Sequence, residues 1–114
     1  MPVPNLLRVT AEPLEDALLV RAAGEIDVST IPALRSELEA AREDAVTVLL
    51  DLSEITFIDS SGLHLLLDLS QVSAVSDWAF FIVRPSETVQ RLIEVSGTAD
   101  LLTLVGSARE RILA

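Results

Sequence analysis

Val46-Thr47-Val48-Leu49-Leu50-Asp51-Leu52 runs directly into Ser53-Glu54-Ile55-Thr56-Phe57-Ile58-Asp59-Ser60-Ser61-Gly62-Leu63. The first of these segments is too apolar and β-branched for a half-exposed strand, so it reads as a buried strand in mid-sheet. Ile55 to Ile58 then leads into Asp59-Ser60-Ser61-Gly62, after which Leu63, Leu66, Leu67, Ser70 and Ala74 recur at helical spacing. Ser60 therefore falls at a helix N-terminus, just beyond a buried strand. Strand, turn and helix in that order form the building unit of a parallel sheet with crossover helices.

Toward the N-terminus, two β-like runs, Leu6 to Ala11 and Ala17 to Ala23, flank Glu12-Pro13-Leu14-Glu15-Asp16 and predict a hairpin. Gly24-Glu25-Ile26-Asp27 ends the second run. Ser29 or Thr30 is placed to cap a helix with Pro32 in its first turn, and Ile31, Leu34, Leu38 and Ala41 share one face of it. Toward the C-terminus, Trp78 to Val83 reads as a strand and Arg84-Pro85-Ser86 as a turn with a cap. Val89, Leu92 and Ile93 mark a helix ended by Gly97, Leu101 to Val105 a last strand, and Ser107 to Leu113 a short closing helix. The order β-β-α-β-α-β-α-β-α predicts an α/β fold with a mixed sheet of about five strands and helices packed on it. Residues 1–114 form a single domain in this reading, with no internal repeat, linker or low-complexity segment.

Half of the residues are apolar but only 4% are aromatic, so the core is built from Leu, Val, Ile and Ala, with Phe57, Phe80, Phe81 and Trp78 as its large pieces. The net charge is −10, and the basic residues are arginines spread singly from Arg8 to Arg111. Nothing there tracks a phosphate backbone or an anionic bilayer, which argues against nucleic acid and membrane as partners. An acidic surface instead steers toward a basic patch on another protein. The absence of cysteine excludes disulfides, thiolate chemistry and cysteine-held zinc. Met1 to Leu7 lacks the charged-then-apolar pattern of a secretory leader, and no stretch approaches the ~20 apolar residues that span a bilayer. The expected location is the cytoplasm.

Asp and Ser before a helix are common caps, and spacing alone leaves capping and regulation both open for Asp59 and Ser60. Ser60 nevertheless has the setting of a regulated hydroxyl, with Gly62 close by to admit a second backbone. A helix N-terminus offers N–H groups and a positive dipole end, so a phosphate of about −1.5 to −2 charge would be tolerated by the fold. Asp59, and Glu25 and Asp27 if their loop ends at the same sheet edge, would crowd that phosphate with like charge.

Asp51 to Leu63 resembles the signature of the STAS family, the domains shared by sulfate transporters and anti-sigma factor antagonists. Gly24-Glu25-Ile26-Asp27 resembles the same family's first-loop motif, and the element order agrees over essentially the whole chain. In the antagonist branch the first serine of Asp-Ser-Ser-Gly is phosphorylated by an anti-sigma factor that is itself a serine kinase. The resemblance places that role on Ser60. It implies that the unphosphorylated form binds the kinase and frees a sigma factor, that the phosphorylated form does not bind, and that a phosphatase resets the cycle. It also implies a partner-facing surface of Glu25, Asp27, Asp59, Ser60, Ser61 and Gly62, no cofactor of the chain's own, and a protein that is not an enzyme. Residue chemistry alone leaves Glu25 and Asp27 equally readable as solvated strand-end residues. The resemblance keeps two other roles open, an accessory subunit of a transport complex and a signalling-scaffold component.

A lone His64 is no metal site, and no catalytic set forms around Ser60. A serine hydrolase needs a base, an orienting carboxylate and a Gly-x-Ser-x-Gly elbow, whereas Ser60 stands between Asp59 and Ser61. A small enzyme or ligand-binding protein using the cleft near Asp27 and Asp59 is the remaining rival. Leu65 and Leu69 lie outside the main stripe of their helix, which reads as burial on two sides or as a contact patch.

Overall fold

In the computed structural model, which describes residues 6–107, one five-stranded sheet has the spatial order β1-β2-β3-β4-β5. β1 (Leu7–Pro13) pairs antiparallel with β2 (Leu18–Ile26), and Pro13 sits at the last rung, where its missing N–H disturbs least. β2, β3 (Thr47–Ile58), β4 (Ala79–Val83) and β5 (Leu104–Val105) are parallel. Helices α1 (Ile31–Asp44), α2 (Ser60–Ala74) and α3 (Glu87–Ser96) make the crossovers. Every crossover steps to the adjacent strand in the same direction, so right-handed connections place all three helices on one face. One core follows: Leu34 and Leu38 of α1, Leu63 and Leu66 of α2, and Val89 and Ile93 of α3 meet Val20, Val48, Leu50 and Ile82 of the sheet. A smaller cluster of Ala17, Leu19, Leu49 and Val83 lies apart from it on alternate strand positions, which face the other way. The α/β mixed sheet expected from the sequence is therefore the observed one.

β3 is a single strand where the sequence suggested a buried run and a short separate piece. Arg21 pairs with Asp51 but Ala23 with Glu54, and Gly24 pairs with Ile55 but Glu25 with Phe57, so β3 holds one extra residue at each of two bulges. The bulges shift the inward phase. Leu52, Ile55 and Ile58 are consequently all buried at a spacing of three, a period that does not read as a strand. The Asp51 carboxylate accepts from the Ser53 N–H at 2.8 Å across the first bulge, while its other oxygen lies 3.9 Å from Arg21 Nε. Phe57, expected in the core, is turned outward by the second bulge and is 46% exposed.

Other departures are local. Trp78 precedes β4 rather than belonging to it; it is buried, stacks on Phe80 at 5.2 Å and carries Arg42 above its ring. Ala74 is exposed, whereas Leu65 and Leu69 are buried, so α2 is covered on two sides and its extra leucines form no contact patch. The last strand is shorter than expected: Ala99–Leu101 winds into a 3-10 turn, Leu102 drops into the core, and only Leu104–Val105 pairs with β4. The expected closing helix, Ser107 to Leu113, lies outside the described residues apart from Ser107. Gly97 ends α3 in the left-handed conformation and Ser86 caps it, as expected.

Candidate functional site

β2 and β3 end side by side, with Ile26 opposite Ile58 and the Asp59 N–H donating to the Ile26 carbonyl at 3.3 Å. That pairing brings Glu25, Asp27, Asp59, Ser60, Ser61 and Gly62 to one edge of the sheet. The two loops leaving this edge are built alike. In the second, Asp59 Oδ1 accepts from the Ser61 N–H at 3.0 Å, the Gly62 N–H at 3.2 Å and the Ser61 hydroxyl at 2.5 Å. In the first, Asp27 Oδ1 accepts from the Ser29 N–H at 2.9 Å, the Thr30 N–H at 3.3 Å and the Ser29 hydroxyl at 2.6 Å. Ile26-Asp27-Val28-Ser29 and Ile58-Asp59-Ser60-Ser61 are thus a local structural repeat, visible in the sequence as two Ile-Asp-x-Ser tetrads. The sequence reading gives no internal repeat, and this four-residue one is a departure from it. Val28 occupies in the first loop the place that Ser60 occupies in the second.

Thr30 stands at the N-cap position of α1 but makes no capping bond with its side chain. Its hydroxyl instead donates to the Glu25 carbonyl at 2.9 Å and accepts from the Asp27 N–H at 3.0 Å. Thr30 is thus the N-cap by position, one of the two residues expected, but no hydroxyl caps a helix N–H; the Asp27 carboxylate takes the Ser29 and Thr30 N–H groups just ahead of the helix. The Ser29 hydroxyl first and then the Ser29 N–H hold the Asp27 carboxyl below its ordinary value; desolvation opposes them, and the Thr30 N–H adds a smaller lowering. A carboxyl lowered in the folded state stabilises the fold above its unfolded pKa, and that contribution is lost as pH falls through the lowered folded value. In an NMR titration, the Ser29 and Thr30 amides are expected to shift with a midpoint below the usual carboxylate range. Ser29→Ala should raise that midpoint.

Asp59 likewise changes what the helix end offers. The Ser61 and Gly62 N–H groups bond its carboxylate and the Leu63 N–H bonds its carbonyl, so these donors are not free for a phosphate as the sequence reading supposed. Gly62 does not wait for a second backbone. It is buried, and a Cβ there would lie 2.7 Å from Ile26 Cγ2 and 2.8 Å from Ile58 Cγ1. The missing side chain lets α2 settle onto the two strand ends. Gly24, with φ of +118°, lets Leu6 approach and take the Glu25 N–H at 2.7 Å.

Hydroxyl groups at this edge divide sharply. Those of Ser29, Thr30 and Ser61 are engaged by Asp27, Glu25 and Asp59, and that of Thr56 by the Gly24 carbonyl. Ser60 is exposed, and among the described residues its hydroxyl has no hydrogen-bond partner. His64 is exposed, and among the described residues no group of three or more His, Cys, Asp or Glu side chains is placed to hold a metal ion. No described helix is long and apolar enough to cross a membrane.

A one-sided helical layer on a mixed five-stranded sheet is the fold of the STAS family. The chain belongs to that family, whose profile matches residues 8–110. Its relatives are anti-sigma factor antagonists. The anti-sigma-B factor antagonist of Staphylococcus aureus (strain NCTC 8325 / PS 47) is 31% identical over 84 residues, covering 73% of this chain and 78% of that protein. The Staphylococcus epidermidis protein of the same name is 30% identical, over 77% of this chain and 82% of its own. Among solved structures, an anti-sigma factor antagonist from Mycobacterium paratuberculosis superposes with a TM-score of 0.82 at 24% identity, covering 99% of this chain and 97% of that one.

Proposed function

We propose that this chain is an anti-sigma factor antagonist switched by phosphorylation of Ser60. In its unmodified form it binds an anti-sigma factor of the serine-kinase type, which then releases its sigma factor. The kinase transfers the γ-phosphoryl group of ATP to Ser60 Oγ, forming the Ser60 O–P bond, breaking the bond to the ADP leaving group and taking up the hydroxyl proton. Nucleotide belongs to the kinase, a phosphatase reverses the step, and the cycle runs in the cytoplasm. The observation that carries this reading is the free, exposed Ser60 hydroxyl beside four engaged ones.

Glu25, Asp27, Asp59, Ser61 and Gly62 serve the same surface differently. The carboxylates face a basic partner, Ser61 keeps Asp59 in place, and Gly62 seats the helix. The test is incubation with ATP and each anti-sigma kinase of the same genome, read by intact mass and site mapping. Wild type and Ser61→Ala should each gain one phosphate and Ser60→Ala none. Phosphate mapped to Ser61, or full modification of Ser60→Ala, would overturn the assignment. Recovery of a transporter ATPase in place of an anti-sigma factor would favour the transport role.

A further inference from the structure

Seven large apolar side chains are exposed among the described residues: Leu6, Val28, Val46, Phe57, Val75, Val95 and Leu101. Singly exposed apolar residues are ordinary on a protein surface, but adjacent ones are not. Three of the seven gather at the sheet edge that carries Ser60. Val28 is 76% exposed at the tip of the first loop. Phe57 of β3 is in register with Glu25 of β2, whose N–H donates to the carbonyl of Leu6 just before β1, so the three residues are neighbours along this edge.

We infer that Val28 and Phe57 are the apolar anchors of the surface that docks the anti-sigma factor, filling a cleft on that partner rimmed by Arg or Lys. The inference rests on the function proposed above and adds the residues that select the partner. The first argument is the loop repeat: Val28 and Ser60 hold equivalent positions, so a partner that reaches the Ser60 hydroxyl meets Val28 on the neighbouring arm. The second is charge. Residues 24–31 and 54–63 contain Glu25, Asp27, Glu54 and Asp59 and neither Lys nor Arg, so the two segments that carry the anchors are acidic and match a cationic rim, with Arg8, beside Leu6 and Glu54, as the neighbouring cation. Within an interface, aromatic side chains are frequent carriers of binding energy. Folding does not account for Phe57, since the β3 bulge that turns it outward leaves it out of the core.

The test is titration calorimetry of unphosphorylated protein against the anti-sigma factors of the same genome. Val28→Ser and Phe57→Ser should each lower affinity at least tenfold, while Val75→Ser and Val95→Ser, more exposed but elsewhere, should stay within twofold of wild type. Hydrogen exchange on the wild-type complex supplies a readout that needs no variant, with protection expected at residues 27–29 and 56–58. If wild type binds but both anchor variants bind within twofold and these residues remain unprotected, the anchors are wrong and the proposed function stands. If wild type binds no anti-sigma factor, the function and the anchors both fall.

Discussion

Ser60→Glu is expected to lower affinity for the anti-sigma factor at least hundredfold while leaving the melting temperature within a few degrees of wild type. The fold tolerates the charge because Ser60 is the first residue of α2, exposed, and an acidic side chain in the first turn favours a helix. The interface does not tolerate it. In the proposed complex Ser60 sits beside the apolar anchor Val28, inside the contact and not on its cationic rim, so a charge enclosed there costs several kcal/mol to desolvate, and about 2.7 kcal/mol already amounts to a factor of a hundred. The loops supply no relief, since Asp59 already occupies the Ser61 and Gly62 N–H groups and the neighbouring side chains are carboxylates. Phosphoserine, with a larger charge, should bind more weakly still. Calorimetry on both forms checks this, and a Ser60→Glu protein that binds as wild type does would rule out a charge-based switch.

The largest effect on stability is expected from Gly62→Val. A glycine inside a helix ordinarily costs about 1 kcal/mol relative to alanine, so propensity alone favours replacing it. Here the new Cβ would meet Ile26 Cγ2 and Ile58 Cγ1 at under 3 Å, and both atoms belong to buried branched side chains at the ends of paired strands. Overpacking of this kind costs about 1 to 3 kcal/mol, and valine adds two methyl groups to the clash, so a loss of about 3 kcal/mol is expected. In a domain of this size that is a fall of about 10 °C in the thermal midpoint, measurable by calorimetry. Relief comes only by lifting the start of α2, which displaces Ser60 as well. Gly62→Val should therefore also slow phosphorylation of the fraction that remains folded.

The two effects differ in how plainly the sequence announces them. Asp59-Ser60-Ser61-Gly62 is a local signal, and strand-turn-helix order alone places Ser60 at a helix start. The alignment of Asp27 with Asp59 follows from parallel pairing of consecutive strands, which the element order also implies. The bulges of β3 were illegible, because a spacing of three at Leu52, Ile55 and Ile58 matches neither strand nor helix. That one irregularity misplaced Phe57 in the core. Composition was equally unable to choose between Ser29 and Thr30 as a cap, since each hydroxyl can accept an N–H and only the backbone path decides which oxygen faces it; Thr30 takes the position but turns its hydroxyl to the Glu25 carbonyl. Gly62 was singled out for the wrong contact, because its close neighbours are side chains of its own sheet.

The unbroken spatial order β1-β2-β3-β4-β5 bears on how the protein is made. No strand has to be inserted between two that are already paired, so a chain emerging from the ribosome can extend its sheet by one strand at a time, always at the same growing edge. Synthesis delivers the N-terminal part first. Once residues through Ala74 have emerged, β1, β2, β3, α1 and α2 are all present, and with them both Ile-Asp-x-Ser loops. The surface that meets the partner is therefore encoded in the earlier part of the chain, while β4, α3 and the two-residue β5 complete the layer beneath it.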